Sequence, residues 1–239
     1  MNAVIAWLTD PAHWSGGAGV PVRLLEHLWY TALTVAIAVV IAIPAGALVG
    51  HTGRGGFLVV SLANSLRALP TLGLLVLLVS FIGIGLGAPL IALVVLAVPP
   101  ILAGTYAGVQ AVDRSVADAA RGMGMSEREI LLQVELPNAL PLIIGGVRSA
   151  TLQVISTATI AAYVALGGLG RFIIDGLAVR DYPQMAAGSL LVALLAVAAD
   201  LALAGVQRLL VSPGLRSVPA SRRTTPAPRP AAERPAAAA

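Results

Sequence analysis

The apolar positions of this chain gather into long runs separated by short polar stretches, and the runs are long enough to set its architecture. Trp29 to Val49 carries no charge over 21 residues, which at about 1.5 Å per residue reaches roughly 31 Å and matches a hydrocarbon core of about 30 Å. Phe57 to Ile84 is also long enough to cross, but Asn64, Arg67 and Pro70 lie within it. Its stretch before Arg67 is too short to cross alone, so the pattern predicts one interrupted span. Ala88 to Val109 predicts a third span, bent at Pro99-Pro100, where a backbone donor is missing and the ring clashes with the preceding turn. Leu140 to Val164 and Met185 to Val206 complete the set. The expected fold is an all-α integral membrane protein of about five transmembrane helices, or six if the second span is split.

One polar island breaks the apolar pattern most sharply, Ala117 to Pro137, within a loop taken as 110–139. Ser115 stands three residues before Asp118, and Ser126 three before Glu129, the spacing of reciprocal capping boxes. These predict two short capped helices separated at Gly122-Met123-Gly124. Helices this short are marginal in water and need packing against the membrane helices or a partner. The first is expected to expose Ala117, Ala119 and Ala120, with Met123 and Met125 at its end. Small residues permit close approach and methionine adapts to an irregular cleft, so the chemistry suits a docking knob better than a catalytic site. Pro137 and Pro141 bracket the start of the fourth span, offering a path from knob to membrane.

Composition agrees with the pattern. Hydrophobic residues make up 58% of the chain and charged residues 11%, against about 25% charged in ordinary soluble domains, and the mean hydropathy is +0.90. There is no cysteine, which excludes disulfides and thiolate metal sites. His13, His27 and His51 are scattered without metal-ligand spacing, and each is read as an interfacial polar residue. All basic residues are arginine, so no lysine-containing phosphate loop exists. No catalytic residue, metal site or cofactor site is expected in this chain, and nothing points to nucleic acid.

Arginine asymmetry gives an orientation. With the 110–139 loop in the cytoplasm, Arg54, Arg114, Arg121, Arg128, Arg208, Arg216, Arg222, Arg223, Arg229 and Arg234 lie inside, against Arg23, Arg171 and Arg180 outside. The N-terminus is then external and the C-terminus cytoplasmic. The start lacks the features of a cleaved signal peptide. Residues 1–27, with Trp7 and Trp14, are read as an external or interfacial segment, 28–211 as the membrane domain, and 212–239 as a disordered cytoplasmic tail rich in Pro, Ala and Arg, either a plain solvated appendage or one that leans on anionic lipid.

The island also carries a resemblance. Asp118-Ala119-Ala120, Gly124 after three residues, and Val134-Glu135-Leu136-Pro137 after nine more resemble the signature of bacterial ABC importer permeases: Glu-Ala-Ala, three residues, Gly, nine residues, Ile, any residue, Leu-Pro. Asp118 for Glu and Val134 for Ile are conservative departures. The resemblance implies the type I importer permease fold, multi-pass in a bacterial cell membrane. It also implies a loop of coupling helices in which Asp118, Ala119, Ala120, Gly124, Met125, Glu135 and Pro137 meet an ATP-binding cassette subunit. ATP and magnesium would be bound by that partner. A second permease subunit, identical or related, and an extracellular solute-binding protein are the other implied partners.

RALPTLGLL from Arg67, PPILAGTYAGVQAVD from Pro99 and GGVRSATLQVISTATIAAYVALGGLG from Gly145 are similar to permeases for quaternary ammonium osmoprotectants, such as glycine betaine, carnitine and choline. Methionine or another small solute is the alternative cargo, and a stand-alone channel the remote one. Asn64, Arg67, Pro70 and Thr71 mark a break that either lines the pathway or lets Arg67 snorkel to an interface. Arg148 is expected to reach the inner interface or pair with an acid of the loop. Thr157 and its polar neighbours either line a pore or bond between helices. Tyr106 and Tyr163 are candidates for passing contact with a cationic solute, while Trp29, Phe57 and Phe81 are read as interface anchors. Gly167 to Gly170 with the segment after it is either a plain turn, an external gate or a binding-protein face.

Overall fold

The structure, a computed structural model, describes residues 2–164 and 166–211; the side chain of Arg67 and the tail 212–239 lie outside the described residues. The described elements are helical. In order they are α1 (Asn2–Thr9), a 3-10 turn (Pro11–Trp14), α2 (Val20–Thr52), α3 (Gly56–Arg67), α4 (Thr71–Ile82), α5 (Gly87–Gln110), α6 (Arg114–Gly122), α7 (Glu127–Glu129), a π-helical turn (Ile130–Glu135), α8 (Leu136–Thr157), a 3-10 segment (Ala158–Val164), α9 (Gly170–Val179) and α10 (Tyr182–Leu210). Four helical stretches are long and apolar enough to cross a membrane, and α3 with α4 makes a fifth, bent by 88°. Pro70 sits at the break, where its ring and missing N–H stop α3 from continuing. The expected interruption of the second span is therefore present, and the bent pair counts as one span.

The first long helix starts at Val20, ahead of the 27/28 boundary read from the sequence. Pro21 lies in its first turn, where its fixed φ is already helical, and Arg23 pairs with Glu26 at 2.9 Å one turn apart. The two charges that interrupt the apolar run thus neutralise one another and leave the helix free to extend. Residues ahead of it do not simply rest at an interface. Trp7 is 7% exposed, stacked on His13 at 4.1 Å and set edge-on to Phe172 at 5.3 Å, which ties α1 to the last two helices. Trp14 stays half-exposed and donates its indole N–H to Leu8 O. At the third span α5 runs through Pro99 and Pro100 as one helix, with both rings buried.

α5 lies between α2 and α8, and small residues make the fit. The inward face of α2 reads Thr34, Ala38, Ala42, Gly46, Gly50, a repeat of four along one helix face. Ala38 and Ala42 pack with Ala97, Ile101, Leu102, Ala150 and Val154, while Gly46 lies against Thr105 and Gly50 against Val109. Where α5 crosses α8 the backbones touch: a Cβ on Gly104 would stand 2.8 Å from Leu142 O, and one on Gly146 2.7 Å from Pro100 O. Lipid tails are as apolar as the side chains, so close packing rather than hydrophobic transfer must hold such helices together. Large outward side chains such as Val40, Leu194, Val197 and Leu201 stay exposed, as a lipid-facing surface requires.

The second tie is ionic. Arg148 of α8 meets Asp200 of α10, its Nε on Oδ1 and its Nη2 on Oδ2 at 2.6 Å. This corrects the expected pairing of Arg148 with an acid of the polar loop: a partner on the adjacent helix satisfies the guanidinium bidentately, and the side chain has no need to reach for the membrane surface.

Two outcomes follow for purified protein. Gly146→Ala lowers the midpoint of thermal unfolding, at a cost of about 1–3 kcal/mol typical of overpacking, whereas Gly145→Ala, whose Cβ meets nothing within 4 Å, leaves it unchanged. Asp200→Asn also lowers the midpoint by stranding Arg148 beside an uncharged group, and adding Arg148→Gln to it recovers most of the loss.

Candidate functional site

The polar island folds back on the end of the bundle where α5 stops and α8 starts. Asp113, not Ser115, caps α6: its carboxylate accepts from Ser115 N at 2.9 Å. The hydrogen bonds from Ser115, backbone first and then side chain, hold the Asp113 carboxyl below its usual range. The expected box between Ser115 and Asp118 is absent because the helix begins at Arg114, which puts Ser115 inside the first turn. Asp118 instead pairs with Arg121 at 2.8 Å. The second box is as expected, with Ser126 N donating to Glu129 Oε2 at 2.8 Å and Glu129 N to Ser126 Oγ at 3.4 Å.

Behind this box the chain does not form a separate short helix. It passes through the π turn directly into α8, so the loop's second half and the fourth span form one helical stretch, Glu127–Val164. Arg121 fastens the two halves: its Nε and Nη2 meet both oxygens of Glu127 at 2.7 and 2.9 Å. That carboxylate, aided by Asp118, holds the guanidinium above its ordinary value.

Ala117 and Ala120 turn inward, 7% and 2% exposed, and pack on Ile130 with Met125 and Val134 beside them. This corrects the expectation that all three alanines face outward. α6 is one amphipathic layer, and its small side is needed against Ile130. The outward face is Val116, Ala119 and Met123, at spacings of three and four, and Met123 is 78% exposed. Next to it Gly124 holds φ +90° with open space around it, a left-handed turn that glycine adopts without strain. Asp118 and Pro137 are exposed.

Glu135 does not face outward. It is 7% exposed and binds His51 of α2, whose Nδ1 lies 2.7 Å from Oε2, while His51 Nε2 stands 3.2 Å from Glu127 Oε2. A cavity of about 390 Å³ beside them is lined by His51, Gln110, Arg114, Asp118, Arg121 and Glu135 among others. His51 is thus a link within the protein and not a loose interfacial residue.

The pathway candidates separate. Thr71 and Thr157 come together with Leu75, Pro89 and Ala161 in one narrow cleft between α4, α5 and the 3-10 segment. Asn64 and Pro70 are exposed at the bend, and Tyr163 is 55% exposed. Tyr106 lies elsewhere: its hydroxyl fills the space over Gly56, near the polar-loop end, and it packs on the α2–α5 core. Arg148 is engaged by Asp200. At the opposite end His27, 1% exposed, has Nε2 3.0 Å from Ile155 O, which makes it a buried cross-brace rather than an interfacial group. Beside it Glu26 accepts from Gly168 N at 2.7 Å. The Gly-rich turn is therefore a seam between the start of α2 and the end of the fourth span.

With this geometry in view, the comparisons with known proteins agree in one direction. Residues 29–213 match the family model for the binding-protein-dependent transport system inner membrane component. The chain is 30% identical over 216 residues to the carnitine transport permease protein OpuCB of Listeria monocytogenes, covering 90% of this chain and 97% of that protein. The osmoprotectant import permease protein OsmW of Salmonella typhimurium is 35% identical over 196 residues, 80% of this chain and 91% of its own. Among solved structures, a chain of the inward-facing MetNI methionine ABC transporter superposes with a TM-score of 0.73 at 24% identity, covering 85% of this chain and 100% of that one, which shows a shared fold. Matched over most of its length by model and relatives alike, this chain belongs to the binding-protein-dependent transport system inner membrane component family, the membrane-spanning permeases.

Proposed function

We propose that this chain is the permease subunit of an ABC importer for quaternary ammonium osmoprotectants, driven by ATP hydrolysis in a separate cassette subunit that docks on the 111–135 loop. The observation that carries the docking reading is the two-sidedness of that loop. On its inner side Ala117 and Ala120 pack on Ile130 within the loop, and Glu127 and Glu135 bind His51 of the bundle, while Val116, Ala119 and Met123 stand outward beside the left-handed turn at Gly124. An apolar stripe with a small residue at its centre and methionine at its tip suits insertion into a protein groove. Because α5 ends at Gln110 and α8 starts at Leu136, a push on the loop is delivered to both helices.

The cargo rests on the relatives, which are named for carnitine, for glycine betaine, carnitine and choline, and for osmoprotectants. In this reading a separate extracellular binding protein selects the solute, a second permease copy or a relative completes the pore, and the loop faces the cytoplasm, with the N-terminus outside. The exposed bend at Asn64 to Pro70 and the Thr71–Thr157 cleft line the path between the two copies.

The test is uptake by the whole transporter reconstituted in vesicles. Radiolabelled glycine betaine accumulates only with ATP inside, and excess carnitine or choline competes while methionine does not. Gly124→Asp, which adds a carboxylate to the tip of the loop, lowers ATP-dependent uptake by about tenfold or more, the scale of losing one interface hot spot, at unchanged yield of folded protein. Full uptake by the variant rejects the docking reading. Flux that needs no cassette subunit supports a channel instead, and competition by methionine alone reassigns the cargo.

A further inference from the structure

His51 sits one residue before the end of α2 and its side chain is only 11% exposed. Both ring nitrogens stand at bonding distance from carboxylates, Nδ1 at 2.7 Å from Glu135 and Nε2 at 3.2 Å from Glu127. A neutral imidazole has one N–H and one lone pair, so it can donate to one acid and must turn a lone pair on the other; two donated bonds require the imidazolium. The two acids are placed with respect to the π turn. Glu127 opens the stretch ahead of it and Glu135 is its last residue. A π turn within a longer helix is an overwide, weakly bonded joint, often found where a helix must work. One imidazole therefore spans the joint between loop and fourth span and ties both of its ends to the first span.

The surroundings are defined. From α6, Arg121 engages the same Glu127 with Asp118 behind it, and Arg114 lines the shared cavity. Glu129 is turned away to Ser126. From α5 the facing group is the uncharged Gln110, whose Nε2 donates to Gly50 O at 2.7 Å and braces the last turn of α2. Arg54 follows beyond the helix end and is exposed.

We propose that His51 is a positioning residue that couples the docking loop to the first span. As an imidazolium it clamps both ends of the π turn to α2, and as a neutral ring it lets the Glu127 end go. Only the imidazolium has two N–H groups to give, so the doubly bonded arrangement is the one favoured as pH falls. The proposal rests on the loop being the site of cassette docking, but the clamp itself is a property of this chain.

The experiment uses the assembled transporter in lipid nanodiscs and follows backbone hydrogen exchange over residues 127–135, corrected for intrinsic rates, at about pH 5.5 and 8.5, which bracket the charge change of imidazoles in general. Solute moved per ATP hydrolysed is measured alongside. In the wild type, protection of the segment is about tenfold greater at the lower pH, the scale of one hydrogen bond to a charged group, and solute moved per ATP follows it. His51→Ala shows low protection at both values, moves less solute per ATP and still retains the cassette subunit. Glu127→Gln provides the rescue, since its amide N–H can donate to the neutral ring: protection stays high and loses its pH dependence. Wild-type protection in His51→Ala, or the same pH dependence in Glu127→Gln as in wild type, overturns the clamp. Failure of the cassette subunit to bind wild-type chain defeats the docking reading instead, and the exchange data still decide the clamp.

Discussion

The contact on which the rest of the structure depends is the backbone approach of α5 to α8 at Gly104 and Gly146. A bilayer offers no gain for burying one apolar side chain against another, so helices hold together where their surfaces meet closely. Here carbonyl oxygens of one helix occupy the space where side chains of the other would stand. The consequence reaches beyond stability. α5 leads into the 111–135 loop and α8 leads out of it, so both ends of the loop join a helix pair in backbone contact. Force on a loop held this way is expected to reach both helices.

Polar groups within the spans are arranged to the same end. Charges at membrane depth are costly unless paired, and Arg148 with Asp200 and Arg23 with Glu26 meet that demand. His27 against Ile155 O and Glu26 against Gly168 N lock the far end of α2 to the end of the fourth span. At the loop end Gln110 and His51 secure the same helix. The first span is thus tied at both ends to the elements around it, which is why motion of the loop is expected to reach it as well as α8.

Much of this was legible in the sequence, and the failures have physical causes. Uncharged runs reported the spans, because run length is a direct measure of membrane thickness, and Pro70 reported the break at the start of α4, although α5 passes through Pro99 and Pro100 unbroken. The Ser126 box was legible because both of its partners lie within four residues. Signature spacing located the loop, yet it could not say which side of α6 turns inward: Ala117 and Ala120 resemble Ala119 in every local respect, and only Ile130, folded back across Arg121 and Glu127, separates them. Links between distant segments were illegible. His51 and Glu135 are 84 residues apart, and Arg148 and Asp200 are 52 apart. The sole hint was a charge, Asp200, standing alone within the last apolar run. The uncharged run reported only the part of α2 after Trp29, because the helix continues back through Arg23 and Glu26, whose spacing of three lets them pair on one helix face.

The central claim is that the outward stripe of the loop seats in a cassette subunit while its inner side grips the bundle. Because the native chain has no cysteine, a single Met123→Cys places the sole thiol of the chain at the tip of that stripe. Treated with a short thiol-directed photocrosslinker in the assembled transporter, it yields a product between this chain and the cassette subunit, while a thiol placed at Leu194, on the lipid-facing side of α10, yields none. Equal labelling of the cassette subunit from both positions, or from neither while the complex remains intact, contradicts the account.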